Sequence, residues 1–335
     1  TWISWPHHEP DWPGKLEPIP WVYAEIARVL AKHERVEILC HDDYVKASAE
    51  AALAAHDVRE NVRLHVIPTD RVWLRDSGPT GVIGPDGNAA FVNWRFNAWA
   101  KYENYSLDEQ VGAAVARISG LEIRQPLRPD TGERVVLEGG AIDGDGAGTL
   151  LVTEECLLSD VQARNPGLGR AGYEQVFRRA LGVRRTIWLG EGCVGDDTHG
   201  HVDDVARFTS PGVVALAYEE DPADDNHRRS ADNLRRLELA GGGEALRIAK
   251  LPYPRPVTMN GERLPASYAN FYIANGVVAV PTFNDRNDRI ALNTLAELFP
   301  DREVVGIHAV DLVWGLGTLH CLTQQQPRGA VTRLG

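Results

Sequence analysis

Apolar positions along the chain switch repeatedly between two periods. In PIPWVYAEIARVLAKHE (18–34) they recur three and four residues apart, which predicts an amphipathic helix, whereas VEILC (36–40) is a short apolar run and predicts a buried strand. The exchange continues with helices predicted near 43–56, 106–118, 171–181, 225–240 and 286–298. Strands are predicted at NVRLHVIP (61–68), AAFVNWRF (89–96), RVVLEGG (134–140), TLLVT (149–153), RRTIWLG (184–190), VARF (205–208), VVALAY (213–218), SYANFYIA (267–274), GVVAVPTF (276–283) and REVVGIHAV (302–310). Alternating helices and strands predict an α/β architecture. No long linker or low-complexity stretch interrupts them, so residues 1–335 read as a single domain. Strand-rich units number on the order of five, which suits a closed or propeller-like arrangement.

Charge narrows the partners. Asp and Glu number 47 against 35 Lys and Arg, a formal charge of -12, which argues against nucleic acid and favours a cationic ligand. No run of apolar residues is long enough for a membrane helix, and TWISWPHHEPDWPGK lacks the basic start and apolar core of a signal peptide. Four scattered cysteines with no CxxC do not suggest a disulfide framework, so the expected location is cytoplasmic.

Four segments offer chemistry. In GLGTLHCLTQQQP (315–327) glycines approach Cys321, giving a thiol room for a substrate, although a buried apolar role is the ordinary fate of a free cysteine. His320 is expected to point away from Cys321, as neighbours on an extended strand do. In DDTHGHVDDVARF (196–208) His201 and Asp203 are expected on one strand face, a proton-transfer group beside a cation-binding carboxylate. The rivals there are a solvated acidic turn and a metal site, because His199, His201, Asp203 and Asp204 approach an HxHxDH pattern with Asp204 in place of its last histidine. TDRVWLRDSGPT (69–80) is expected to end a strand at Arg75 and Asp76 before a Ser-Gly-Pro turn; Trp73 offers a flat face to a cation and Asp76 a fork for a guanidinium, or else Trp73 is core and Asp76 starts the turn. In VVLEGGAID (135–143) Glu138 ends a strand beside two glycines and can orient an imidazole, or simply marks a turn. Among the other cysteines, Cys40 and Cys156 read as core and Cys193 is the only substitute nucleophile.

Taken together and in order, SWPHHEPDWP, WLRDSGPT, FNAWAKY, LEGG, TEECLLS, RNP, HGHVDDVARF, SYANFYIANGVVAVP and LHCLTQQQP resemble the agmatine deiminase family of the guanidine-modifying superfamily, which also holds bacterial peptidylarginine deiminase. The likeness spans nearly the whole chain, and TQQQP points to the agmatine branch. It implies a five-bladed pseudosymmetric α/β propeller with the site at its centre. Carried over, Cys321 is the nucleophile, His201 the general acid and base, Glu138 its carboxylate, and Asp76 and Asp203 the guanidinium clamps. Trp73 and Asn270 line the pocket. The expected reaction converts agmatine and water to N-carbamoylputrescine and ammonia through a Cys-thiouronium intermediate, with no metal or organic cofactor and with a possible homodimer. The sequence departs from the family's GGGNIHC at Leu316 and Thr318, and from a common glycine at Ala100, which bears on substrate choice. Alternatives are a deiminase of arginine or another alkylguanidine, an amidinotransferase, a metallo-hydrolase on the His201 segment, and a non-enzymatic guanidine-binding protein.

Overall fold

A computed structural model describes residues 1–241 and 246–329. The chain opens with β1 (Trp2–Ser4), α1 (Ile19–Leu30), β2 (Val36–Cys40), α2 (Asp43–Ala55) and β3 (Val62–Val66). All three strands run parallel in the order β1-β2-β3, because a helix lies between each strand and the next. Helix α1 forms where predicted, and Ile19, Tyr23, Ile26, Ala27 and Leu30 bury one stripe of it. Asp42 caps α2 by accepting from the Val45 amide at 2.8 Å.

A turn of helix, α3 (Leu74–Ser77), then leads into a unit that occurs four times. In each, a first strand pairs antiparallel with a second, a helix crosses, and a third strand returns parallel to the second. The units are β4 (Thr80–Ile83), β5 (Ala89–Val92), α4 (Val111–Ser119) and β6 (Glu122–Arg124); β7 (Asp143–Gly144), β8 (Thr149–Thr153), the short α5 (Glu154–Leu158), α6 (Arg170–Leu181) and β9 (Arg185–Leu189); β10 (Ala206–Ser210), β11 (Val213–Tyr218), α7 (Asp225–Ala240) and β12 (Arg247–Pro252); and, after a two-stranded hairpin of β13 (Thr258–Met259) with β14 (Glu262–Arg263), β15 (Tyr272–Ala274), β16 (Val277–Thr282), α8 (Arg286–Leu298) and β17 (Glu303–His308). Five three-stranded sheets therefore carry the α/β fold.

The last helical turn, α9 (Leu319–Leu322), is followed by Gln324, which pairs antiparallel with Trp2: each amide donates to the other's carbonyl, at 2.8 and 2.9 Å. Gln324 thus gives β1 the antiparallel neighbour that every later unit has built in. The far end of the described chain completes the first sheet.

Helices and central strands agree with the hydrophobic pattern, as does the first strand β10 at VARF, whereas β4 and β7 had no apolar pattern to announce them. RVVLEGG is buried at Val135, Val136 and Leu137 but forms only isolated bridges, Val136 with Arg95 and Arg134 with Leu127, and SYANFYIA is a strand only from Tyr272. Burial made these residues apolar without a ladder partner to make them strands. Conversely, β6 is exposed throughout, so no apolar pattern announces it.

Candidate active site

Each first strand is preceded by a tight turn. These turns are α3 before β4, a 3-10 turn Gly139–Ala141 before β7, another at Val202–Asp204 before β10, the turn at Tyr268–Ala269 before β15, and α9 before Gln324. Asp76, Glu138, Asp203, Asn270 and Cys321 stand in or beside these five turns, so each occupies the same place in its own unit. A tight turn entering a strand exposes few backbone groups and aims one side chain inward, which is how residues far apart in sequence come to share one buried site.

Three local expectations are corrected here. His201 and Asp203 are not two strand positions: His201 precedes the 3-10 turn and Asp203 lies in it. Cys321 lies on helical α9 rather than a strand, so His320 does not look away. Its Nδ1 donates to Asp203 Oδ2 at 2.6 Å, and the Cys321 thiol lies 3.6 Å from the same oxygen. Likewise Asp76 belongs to a helical turn and not to a strand end.

His201 is buried between carboxylates, with Nε2 3.5 Å from Glu138 Oε2 and Nδ1 3.9 Å from Asp76 Oδ2. Burial alone would lower its pKa, but Asp76, Glu138 and Asp203 outweigh that and push it up to about 10. The imidazolium is therefore the resting form at neutral pH. Burial likewise opposes the charge on Glu138, yet Arg164 and His201 hold its pKa down to about 2. Arg164 Nε donates to both Glu138 oxygens, at 3.1 and 3.3 Å, and Nη1 and Nη2 are tied to the carbonyls of Gln162 and Thr198. Asp76 accepts from Trp99 Nε1 at 2.9 Å and from the Gly140 amide at 3.0 Å.

The negative groups outnumber the positive ones. Burial raises Asp76, brings Asp203 to about 7 and lifts Asp204 well above the carboxylate range. Burial, with Asp203, Asp204 and Asp76 nearby, also pushes the Cys321 thiol well above its ordinary value. Asp203 Oδ1 and both ring nitrogens of His201 have no hydrogen-bond partner among the described residues. Of these, Asp203 Oδ1 is an acceptor, and leaving it unpaired in a buried, carboxylate-rich cluster is costly, so a cation bearing N–H donors is the group that would satisfy it.

Asn270 is a hub. Its Oδ1 accepts from Thr318 Oγ1 at 2.7 Å and from the amides of His320 and Cys321 at 3.0 and 3.4 Å, while Nδ2 donates to Asp204 Oδ1 at 3.0 Å and to the Cys321 sulfur at 3.1 Å. It fixes the turn that carries Cys321. Trp73 packs on Trp12 with ring centroids 5.4 Å apart, and it closes on the cysteine turn because position 317 is glycine: a Cβ there would lie 2.8 Å from Trp73 and 3.0 Å from Cys321 Cβ. The second glycine of LEGG is needed for a similar reason, since a Cβ on Gly140 would stand 2.4 Å from His201 Nδ1.

Four contributors carried no role in the sequence reading: Trp99, Arg164, Thr318 and, as a partner of Asp203, His320. Arg164 was visible only as part of RNP and Trp99 as part of FNAWAKY. Both departures from glycine fall at left-handed backbone, Leu316 at φ 68° and Ala100 at φ 53°, the latter ending a run that starts with Ala98 at 49° and Trp99 at 60°. Cys40, Cys156 and Cys193 are buried, and burial raises all three thiols. The metal set drawn from the histidine segment does not assemble: among the described residues the groups within ligand reach are Glu138, Cys156, His201 and Asp203, Asp204, Cys321, while His199 Nε2 lies 3.1 Å from Ser159 Oγ.

The Porphyromonas-type peptidyl-arginine deiminase family model matches residues 1–327. An agmatine deiminase of Pseudomonas fluorescens is 38% identical, across 98% of this chain and 92% of that one. The solved agmatine deiminase of Enterococcus faecalis superposes with a TM-score of 0.88 at 31% identity, covering 98% of this chain and 92% of the other. An agmatine deiminase of C. jejuni with substrate bound gives 0.86 at 27% identity, covering 98% and 93%. The chain belongs to the Porphyromonas-type peptidyl-arginine deiminase family.

Proposed function

We propose that this protein hydrolyses agmatine to N-carbamoylputrescine and ammonia. One observation carries the reading: a buried cluster of carboxylates around His201 and Cys321 retains an unpartnered acceptor, Asp203 Oδ1. A guanidinium supplies a planar positive charge and several N–H donors, matching Asp76 and Asp203. The names of the relatives support agmatine as its source.

Asp76 and Asp203 hold the guanidinium so that its carbon, a poor electrophile, lies against Cys321. The bound cation and the imidazolium of His201 offset the negative surroundings that keep the thiol protonated, so the thiol loses its proton to solvent in the complex and not in the empty enzyme. The sulfur attacks the guanidinium carbon, and His201 gives its proton to the departing ammonia. A thiouronium remains on Cys321. His201 then takes a proton from water, whose oxygen adds to the same carbon, and collapse passes the hydroxyl proton to the departing sulfur, restoring the thiol and the imidazolium and releasing the neutral ureido product. Glu138, held by Arg164, orients His201 and stabilises its charge. Trp73 covers the substrate, and Asn270 holds the nucleophile turn.

The five sheets are read as the blades of a pseudosymmetric α/β propeller within one catalytic domain. Gln324 closes the ring, and the five turns meet at its centre. A cytoplasmic homodimer without cofactor completes the proposal, the four unpaired cysteines favouring a reducing compartment. Among the described residues no helix is long and apolar enough to cross a membrane.

Ammonia release from agmatine, arginine, a peptidyl-arginine and a shorter alkylguanidine, with products identified by mass spectrometry, tests the reading. Turnover of agmatine that disappears in Cys321→Ala is expected. Turnover that survives Cys321→Ala, or that a chelator abolishes, overturns it.

A further inference from the structure

A cavity of about 910 Å³ contains none of the reacting groups. It is lined instead by their chain neighbours, with Arg75 beside Asp76, Gly139 beside Glu138 and His320 beside Cys321, and by residues of the first strands β4, β7, β10 and β15. The cavity and the active site thus share a floor of short turns and use different side chains of it.

Its charge is opposite to that of the chain. Six arginines line it, Arg75, Arg124, Arg178, Arg179, Arg184 and Arg207, against one carboxylate, Asp143. Asp143 is already committed, accepting from Arg207 Nε at 2.5 Å and from the Phe208 amide at 2.6 Å. Among the described residues no carboxylate lies within ion-pair distance of Arg75, Arg178, Arg179 or Arg184. Arg75 is the deepest of them, only 4% exposed. Its Nε donates to the His320 carbonyl at 3.2 Å and its Nη1 to Gln324 and Gln325 at 2.9 and 2.7 Å, but Nη2 has no partner. A buried guanidinium with a free fork nitrogen, below a rim of exposed arginines, is a built receptor for an oxyanion.

We propose that this cavity binds a small, multiply charged oxyanion, one end on Arg75 and the other among Arg178, Arg179 and Arg184. A chain of net charge -12 repels an extended polyanion such as nucleic acid, while a basic hollow of this size admits a compact one. Two sources supply that chemistry, a condensed phosphate or a polycarboxylate. The site is separate from the guanidine site, and its test does not depend on the reaction proposed above.

The experiment is calorimetric titration of the full chain with pyrophosphate and, separately, with citrate, at ionic strength held constant with sodium chloride. The comparison is the triple variant Arg178→Ala, Arg179→Ala, Arg184→Ala, whose side chains are exposed and take no part in the proposed chemistry. Saturable one-to-one binding of at least one anion is expected, weakened tenfold or more in the variant while its melting temperature without anion and its turnover stay at wild-type values. Which anion binds more tightly assigns the source. Absence of saturable binding by both anions, or equal affinity in the variant, overturns the proposal.

Discussion

Replacing Glu138 by glutamine keeps the shape of the side chain and removes one buried charge, so its consequences can be worked out in advance. Glu138 in the folded protein titrates at about 2 against an ordinary 4.5, burial pushing it up and Arg164 and His201 pulling it down by more. A shift of that size corresponds to about 3 kcal/mol of favourable interaction at neutral pH. Arg164 is held above its own ordinary value by the same contact, which is counted once. Because the folded pKa is the lower one, this stabilisation is complete above the unfolded pKa of 4.5 and is lost as pH falls towards 2. The amide of Glu138→Gln can still accept from Arg164 Nε, so the expected loss is about 2–3 kcal/mol, at the low end of the cost of breaking a buried pair. Urea denaturation of wild type and variant at several pH values measures it. The difference should be constant between pH 7 and pH 5 and should shrink below about pH 4.5. A difference under about 0.5 kcal/mol at pH 7, or one that does not change between pH 5 and pH 3, would refute the assignment of a charged Glu138 paired with Arg164.

Other variants probe the rest of the site. Asn270→Ala removes the acceptor shared by Thr318, His320 and Cys321, and is expected to lower kcat by about 10- to 100-fold with a smaller change in KM; steady-state kinetics decide, and an unchanged kcat would count against the hub. With Asp203 at about 7 in the free enzyme, kcat/KM should rise with pH up to about 7 as this clamp ionises, and a flat profile between pH 5.5 and 8 contradicts that. Cys193→Ala and Cys40→Ala should retain full turnover, since both thiols are buried and take no part in the cluster; loss of activity in Cys193→Ala without unfolding would reopen the choice of nucleophile. Leu316→Gly should relieve about 1 kcal/mol of left-handed backbone strain and shift the preference among alkylguanidines, read from the melting temperature and from kcat/KM across the substrate panel.

Helices and central strands were legible because one periodicity fixes each of them. The five turns were not, since three or four residues cannot display a period, and reading them as strands put His320 on the wrong side of Cys321. The residue types of the site were legible where chemistry demands a particular group, as at Cys321, His201 and Asp203. Arg164 was hidden for a different reason: it lies 26 positions from Glu138, so only the folded chain reveals the pair. Asn270 was expected at the pocket, but its bond to Cys321, 51 positions away, was not. Leu316 and Ala100 stood out in the sequence as missing glycines, and the backbone gives the cause: both positions are left-handed.

The pairing of Gln324 with Trp2 bears on how the activity arises during synthesis. A chain emerging from the ribosome presents Asp76, Glu138 and His201 long before Cys321, and the turn carrying that cysteine is tied at its far end when Gln324 bridges the first strand made. Contacts of such long sequence separation form slowly. Molecules lacking this pairing would hold a carboxylate-rich hollow without a fixed Cys321, so forming it would act as the step that completes the site. Thiol labelling during refolding would then report a Cys321 that stays reactive until the pairing forms and becomes buried with it.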